Sequence, residues 1–173
     1  MNKLILTLCL ASFLVSFTSC TSDETEDSEV SAILGVWKLT AWNINGTFDM
    51  NNDGSANSNL LNEIDCPSNE TLVFNNNGVV SLNTTFNPEI EIALLDSTSD
   101  LYQFDVTCDT EGVVSLATEY SINDTLLMIG GNEARIENDQ IFIVFEERLK
   151  IYNQERTEII ETKDLTLVYS KQQ

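Results

Sequence analysis

From Ile33 onward the chain runs in short stretches where apolar and polar residues alternate, separated by turn residues. Alternation puts one set of side chains on each face of a pleated strand, so it predicts half-buried β-strands rather than helices. The first stretch, Leu34 to Trp42, is rich in strand formers. Glu70–Phe74 and Val79–Phe86 follow, joined by Asn75-Asn76-Asn77-Gly78. Asn-Gly is a strong hairpin signal because both residues tolerate positive φ. Tyr102, Phe104, Val106 and Cys108 then share one face, and Gln103, Asp105 and Thr107 the other. A turn at Asp109–Gly112 leads to Val114, Leu116 and Tyr120 on one face of the next strand. Leu126–Ile129 stops at Gly130-Gly131, and Ala134 and Ile136 precede a turn at Asn138-Asp139. Ile141, Ile143, Phe145, Leu149 and Ile151 keep one parity, with Glu147 interrupting them as a bend or a strand rim. Thr157–Thr162 and Leu165–Ser170 close the chain, with Lys163-Asp164 between them.

This rhythm predicts an all-β fold: about eight to ten short strands with tight connections, an antiparallel meander closed into a barrel. Closure removes the exposed edges an open sheet would leave. A barrel of about eight strands leaves room for side chains or one small ligand. The single helical expectation is a turn or two near Ser58–Ile64, capped by Ser58. Pro88–Ser99 reads as a longer loop. Trp42, Tyr102, Phe104, Tyr120 and Phe145 are candidates for lining the barrel interior, but such residues are more often ordinary core and none is assigned to a ligand.

The start of the chain has a different character. Lys3 is followed by an apolar run from Leu4 to Phe17, too short for a membrane span of about 20 residues and shaped like a signal peptide. Phe17-Thr18-Ser19-Cys20 resembles a bacterial lipobox, with Phe17 where leucine is usual. That resemblance implies cleavage after residue 19 and acylation of Cys20, and two or more acyl chains hold a protein stably on a bilayer. Plain cleavage and free secretion is the blander reading. Residues 21–32 contain five acids and no base, the composition of a solvated tether. An acidic cluster directly after the lipidated cysteine also resembles the surface-export signal of Bacteroidota lipoproteins. The expected location is therefore the outer membrane, on its periplasmic face or at the cell surface.

Charge and missing residue types narrow the chemistry. The 173-residue chain carries 28 acids against 8 bases, a formal charge of -20, and no histidine. Such a surface repels phosphate backbones and sets nucleic acid aside as a partner. Without histidine the chain lacks the usual general base, the common zinc ligand and every Ser-His or Cys-His nucleophile. Of four cysteines only Cys66 and Cys108 fall in the body of the chain. In an exported protein such a pair is expected to form a disulfide, the alternative being two buried thiols.

One stretch carries distinct chemistry. In Asp49–Cys66 (DMNNDGSANSNLLNEIDC), Asp49, Asn51 and Asp53 offer side-chain oxygens at alternate residues, and Gly54 follows at once. A hard divalent cation takes six to eight oxygens at about 2.3–2.6 Å, and alternate acids or amides can wrap it where a glycine permits the sharp turn. With Asp49 as the first position, Asn51, Asp53, Gly54, the Ser55 carbonyl and Asn57 agree with an EF-hand loop. Leu60 stands where the bidentate glutamate is expected, and no amphipathic helix precedes Asp49. Glu63, one helical turn on, could supply that carboxylate, with Asp65 in reserve. The alternative is a polar surface turn whose side chains bond their own backbone. The expectation is a structural Ca2+ held by Asp49, Asn51, Asp53, Ser55 and Glu63.

Gly35-Val36-Trp37 matches the Gly-x-Trp signature of the first lipocalin strand, where the tryptophan packs across the closed end of the barrel. With the Asp49–Glu63 loop, Cys66 and the strand rhythm, residues 33–171 resemble the lipocalin-like lipoproteins of Bacteroidota, especially Flavobacteria. The resemblance implies a lipocalin-like barrel and supports Glu63 as the loop's last acid, but implies no ligand. Three functions follow as expectations. The first is a non-enzymatic envelope lipoprotein binding a small apolar molecule or a glycan fragment. The second is a structural or adhesive module with a filled barrel. The third, a carboxylate-based hydrolase, needs a pair of acids the sequence does not single out. Glu146-Glu147 reads more simply as a solvated strand end.

Overall fold

The computed structural model describes residues 31–98, 101–108, 116–123 and 126–173. The leader, Cys20, most of the tether and the turn expected at Asp109–Gly112 lie outside the described residues. The described chain forms eleven strands: β1 Gly35–Phe48, β2 Asn57–Asn59, β3 Thr71–Phe74, β4 Val79–Asn83, β5 Glu89–Leu94, β6 Tyr102–Thr107, β7 Leu116–Asn123, β8 Leu126–Ile129, β9 Asn132–Glu137, β10 Gln140–Tyr152 and β11 Ile159–Lys171. Eight of them, β1, β3, β4 and β7 to β11, pair antiparallel in chain order, and β11 returns to β1 to close the ring. The expected all-β meander closed into a barrel is this ring.

Local chemistry sets the corners. The β8–β9 turn uses Gly130 and Gly131 at φ 55° and 89°, and the β9–β10 turn uses Asn138 and Asp139 at φ 48° and 58°. Two consecutive positive φ values match the right-handed twist of the flanking strands, and Gly, Asn and Asp tolerate them best. In β1 the inward residues are first Trp37 and Leu39, then Trp42 and Ile44. The parity changes because β1 gains one residue on β11 between Leu39 and Ala41, a bulge that keeps both tryptophans inside.

Trp37 is buried at one end of the barrel. Its Nε1–H donates to the Ile33 carbonyl at 2.7 Å, and its ring meets Phe74 edge-on with centroids 6.4 Å apart. The Lys171 ammonium sits 5.5 Å from the indole centroid and donates to the Ala32 carbonyl. Tyr120 meets Phe74 edge-on with centroids 5.0 Å apart and donates its hydroxyl to the Asn75 carbonyl at 2.8 Å. Buried rings and the turns around them plug this end.

Three expectations are corrected. The segment read as a loop at Pro88–Ser99 contains β5, where Ile90 and Ile92 alternate with Glu89 and Glu91. β5 and β6 form a hairpin outside the ring, and β5 joins the far end of β10 in parallel through Ile92↔Ile151 and Ala93↔Tyr152. The two terminal strands are one, because Lys163-Asp164 stays in the ladder opposite β10. The helical turn expected near 58–64 is present as a single 3₁₀ turn, Leu60–Asn62, but Asn59 rather than Ser58 caps it. Asn59 Oδ1 accepts from both Trp42 and Leu61 N–H, so it ties the turn to β1.

Candidate functional site

The opposite end of the barrel opens into a cavity of about 670 Å3. Its wall is mostly apolar, with Trp42, Leu72, Leu82, Phe86, Phe145 and Leu165 among the lining residues. Of the five aromatic candidates, Trp42 and Phe145 line it. Tyr102 and Phe104 instead pack on Phe48 at 5.2 and 5.5 Å, which seats the β5–β6 hairpin against the end of β1. Tyr120 belongs to the plugged end.

One carboxylate among the described residues lines this wall. Glu70, 3% exposed, accepts the Tyr169 hydroxyl on Oε1 and the Phe86 N–H on Oε2 at 2.6 Å. Burial raises the Glu70 carboxyl above the ordinary carboxylate value, and the two hydrogen bonds pull it partly back. Burial, then the adjacent Glu70 charge, raises Tyr169 far above the ordinary phenol range. The bond to Glu70 also holds Phe86 inward. Thr84 turns the chain at φ 55°, and the Phe86 ring settles on Trp42 with centroids 5.3 Å apart. Sequence reasoning missed Glu70 and Tyr169, although their parity signals them: Glu70 is in phase with buried Leu72 and Phe74, and Tyr169 with Leu165.

The acidic loop lies beyond the end of β1. Asp49 Oδ1 accepts from Asp53 N–H at 3.0 Å and Oδ2 from Gly54 N–H at 2.9 Å. Asn51 Oδ1 accepts from Asp53 N–H at 2.9 Å, and Asp53 Oδ1 from Ser55 N–H at 2.8 Å. Glu63, 5% exposed, folds back so that Oε2 accepts from Met50 N–H at 2.9 Å. The loop therefore draws Asp49, Asn51, Asp53 and Ser55 into one network and brings Glu63 beside it, whereas Asp65 enters none of these hydrogen bonds. Gly54 at φ 89° makes the turn. Among the described residues no group of three or more acidic or cysteine side chains is gathered closely enough to hold a metal. The donor set is all oxygen, which suits a hard cation. The Asn51 amide nitrogen points at Asp53 Oδ2 and the Asn62 carbonyl, at 3.2 and 3.3 Å, so a cation there requires that amide to turn over.

Cys66 and Cys108 form the expected disulfide, which ties the end of this loop to the end of β6. Comparisons with family models, curated proteins and solved structures find no match to the chain.

Proposed function

We propose that the chain is a lipid-anchored envelope lipoprotein whose lipocalin-like barrel binds one small apolar molecule, without catalysis. The carrying observation is the cavity. At about 670 Å3 it falls inside the size range of small-molecule sites. Its apolar wall favours a hydrophobic guest over a glycan fragment, which would need more hydrogen-bonding groups than this wall presents. An interior space of this size speaks against a barrel filled by its own side chains. A carboxylate hydrolase needs two facing acids, and Glu70 is the one acid among the described residues on the cavity wall.

The remaining parts of the reading come from the sequence. Cys20 would carry the acyl chains that hold the barrel at the outer membrane, on its periplasmic face or at the cell surface. The chain's own acidity argues against nucleic acid as a partner. Asp49, Asn51, Asp53, the Ser55 carbonyl and Glu63 would hold Ca2+, which would stiffen the loop beside the disulfide rather than take part in binding.

Native mass spectrometry of the full chain, taken from its own membrane without prior extraction of lipid, tests the binding reading. A bound apolar molecule at one per chain, whose removal raises Trp42 exposure to a quencher, is the expected result. A chain that carries nothing and whose Trp42 emission is unchanged by any added hydrophobic probe would end it.

A further inference from the structure

We propose that an irregularity in β10 builds an anion receptor at the cavity mouth, so that the barrel selects an apolar molecule bearing one anionic group. This rests on the cavity being a ligand site and names the class of molecule it takes.

Between Phe145 and Leu149 β10 advances four residues while β11 covers two, from Leu165 to Lys163. The excess sits at Glu147, whose φ of 51° is left-handed and unfavourable for a residue with a side chain. Its N–H is held at 2.8 Å by Asp164 Oδ1. In an unbroken strand Arg148 would share the outward phase of Val144 and Glu146. With the bulge in place, Arg148 lines the cavity, while Glu146 faces an outer groove beside Val144 and Thr166. Bulges at barrel rims re-aim side chains in this way. Here a cation is turned to the mouth and Glu146 away from it.

Of the cations among the described residues, Arg148 alone lines the cavity. Among the described residues no carboxylate pairs with it, whereas Arg135, Arg156 and Lys163 all hold acids. A guanidinium offers a planar fork of donors that fits a carboxylate, sulfate or phosphate head. The arrangement places that head at the rim and the apolar body against Trp42 and Phe145. The formal charge of -20 repels anions at long range. A preference for an anionic head therefore has to come from a local contact.

Calorimetric titration of the full chain with dodecanoate, dodecanol and dodecyltrimethylammonium, all below their micelle concentrations, tests this. Dodecanoate is expected to bind about ten-fold or more tightly than dodecanol, the scale of a charge-assisted contact, and the cationic probe most weakly. Arg148→Gln, checked for an unchanged Tm, is expected to bring dodecanoate down to the affinity of dodecanol. Asp164→Ala, which releases the Glu147 N–H, is expected to lower the same preference. Equal binding of dodecanoate and dodecanol by the native chain, or a preference that survives Arg148→Gln, overturns the proposal and leaves the cavity reading standing. If none of the three probes binds, the cavity reading falls with it.

Discussion

Inside the barrel the Tyr169 hydroxyl donates to Glu70 Oε1, joining residues 99 positions apart and fastening β11 to the start of β3. The bond satisfies a carboxylate that has almost no access to water. Tyr169→Phe leaves that oxygen without a donor, and the expected cost is about 1–3 kcal/mol. Urea unfolding at pH 7 measures it. A loss below a few tenths of a kcal/mol would mean that Glu70 finds another donor.

The same carboxyl makes stability depend on pH in an unusual direction. Its folded pKa is raised, so between the unfolded and folded values the native state binds more protons than the unfolded chain. The contribution is full below the unfolded pKa and is lost as pH rises through the folded one. Tyr169, raised as well, stays neutral across that window. Glu70→Gln removes the titration while its amide oxygen can still accept from Phe86. Denaturant unfolding from pH 4 to pH 8 is therefore expected to show the variant gaining on the native protein as pH rises. Parallel curves would show that Glu70 titrates alike in both states.

The disulfide closes a loop of 42 residues between Cys66 and Cys108. On the chain-entropy estimate its removal costs about 4 kcal/mol. The loss has a location too, since the β5–β6 hairpin is otherwise held by two parallel pairings to β10, the Phe48 contacts and the pairing of Arg156 with Glu91 and Asp105. In Cys66→Ser/Cys108→Ser, amide exchange in residues 89–107 is expected to rise well above that of β10 and β11. Uniform acceleration across the barrel would refute a local role for the bridge.

For the acidic loop the expected outcome is a rise in Tm on adding millimolar Ca2+, since an ion that binds only the native state stabilises it by mass action. Asp53→Ala should abolish the rise, and Glu63→Gln should reduce it while also weakening the backbone contact to Met50. Differential scanning calorimetry with Ca2+ and with chelator checks both. No shift in the native chain would leave the loop as a turn closed by its own hydrogen bonds.

Much of the barrel was legible because alternation and turn chemistry are local. Asn77-Gly78, Gly130-Gly131 and Asn138-Asp139 each make the hairpin they suggest, and Glu147 does interrupt its strand. The β5 strand was missed because its run is short and follows Pro88, and pairing with β6 along its length and with the far end of β10 sets its state. Lys163-Asp164 reads as a turn, yet the ladder with β10 keeps it within the strand. The cavity wall was only half readable. Its apolar members follow parity, but Glu70 looked like any solvated acid until its phase with Leu72 is noticed. The aim of Arg148 depends on a bulge whose register is set by the partner strand.

The hairpin of β5 and β6 leaves the described sheet with a raw border at β6. A closed ring offers neighbouring molecules no unpaired backbone, whereas β6 ends the described sheet on its outer side. That border is six residues long, with Val106 and the preceding Leu101 open to solvent and Asp105 drawn toward Arg156. Strand-to-strand sticking between copies thus has a short place to begin, and the charge that discourages it is half spent holding the hairpin down.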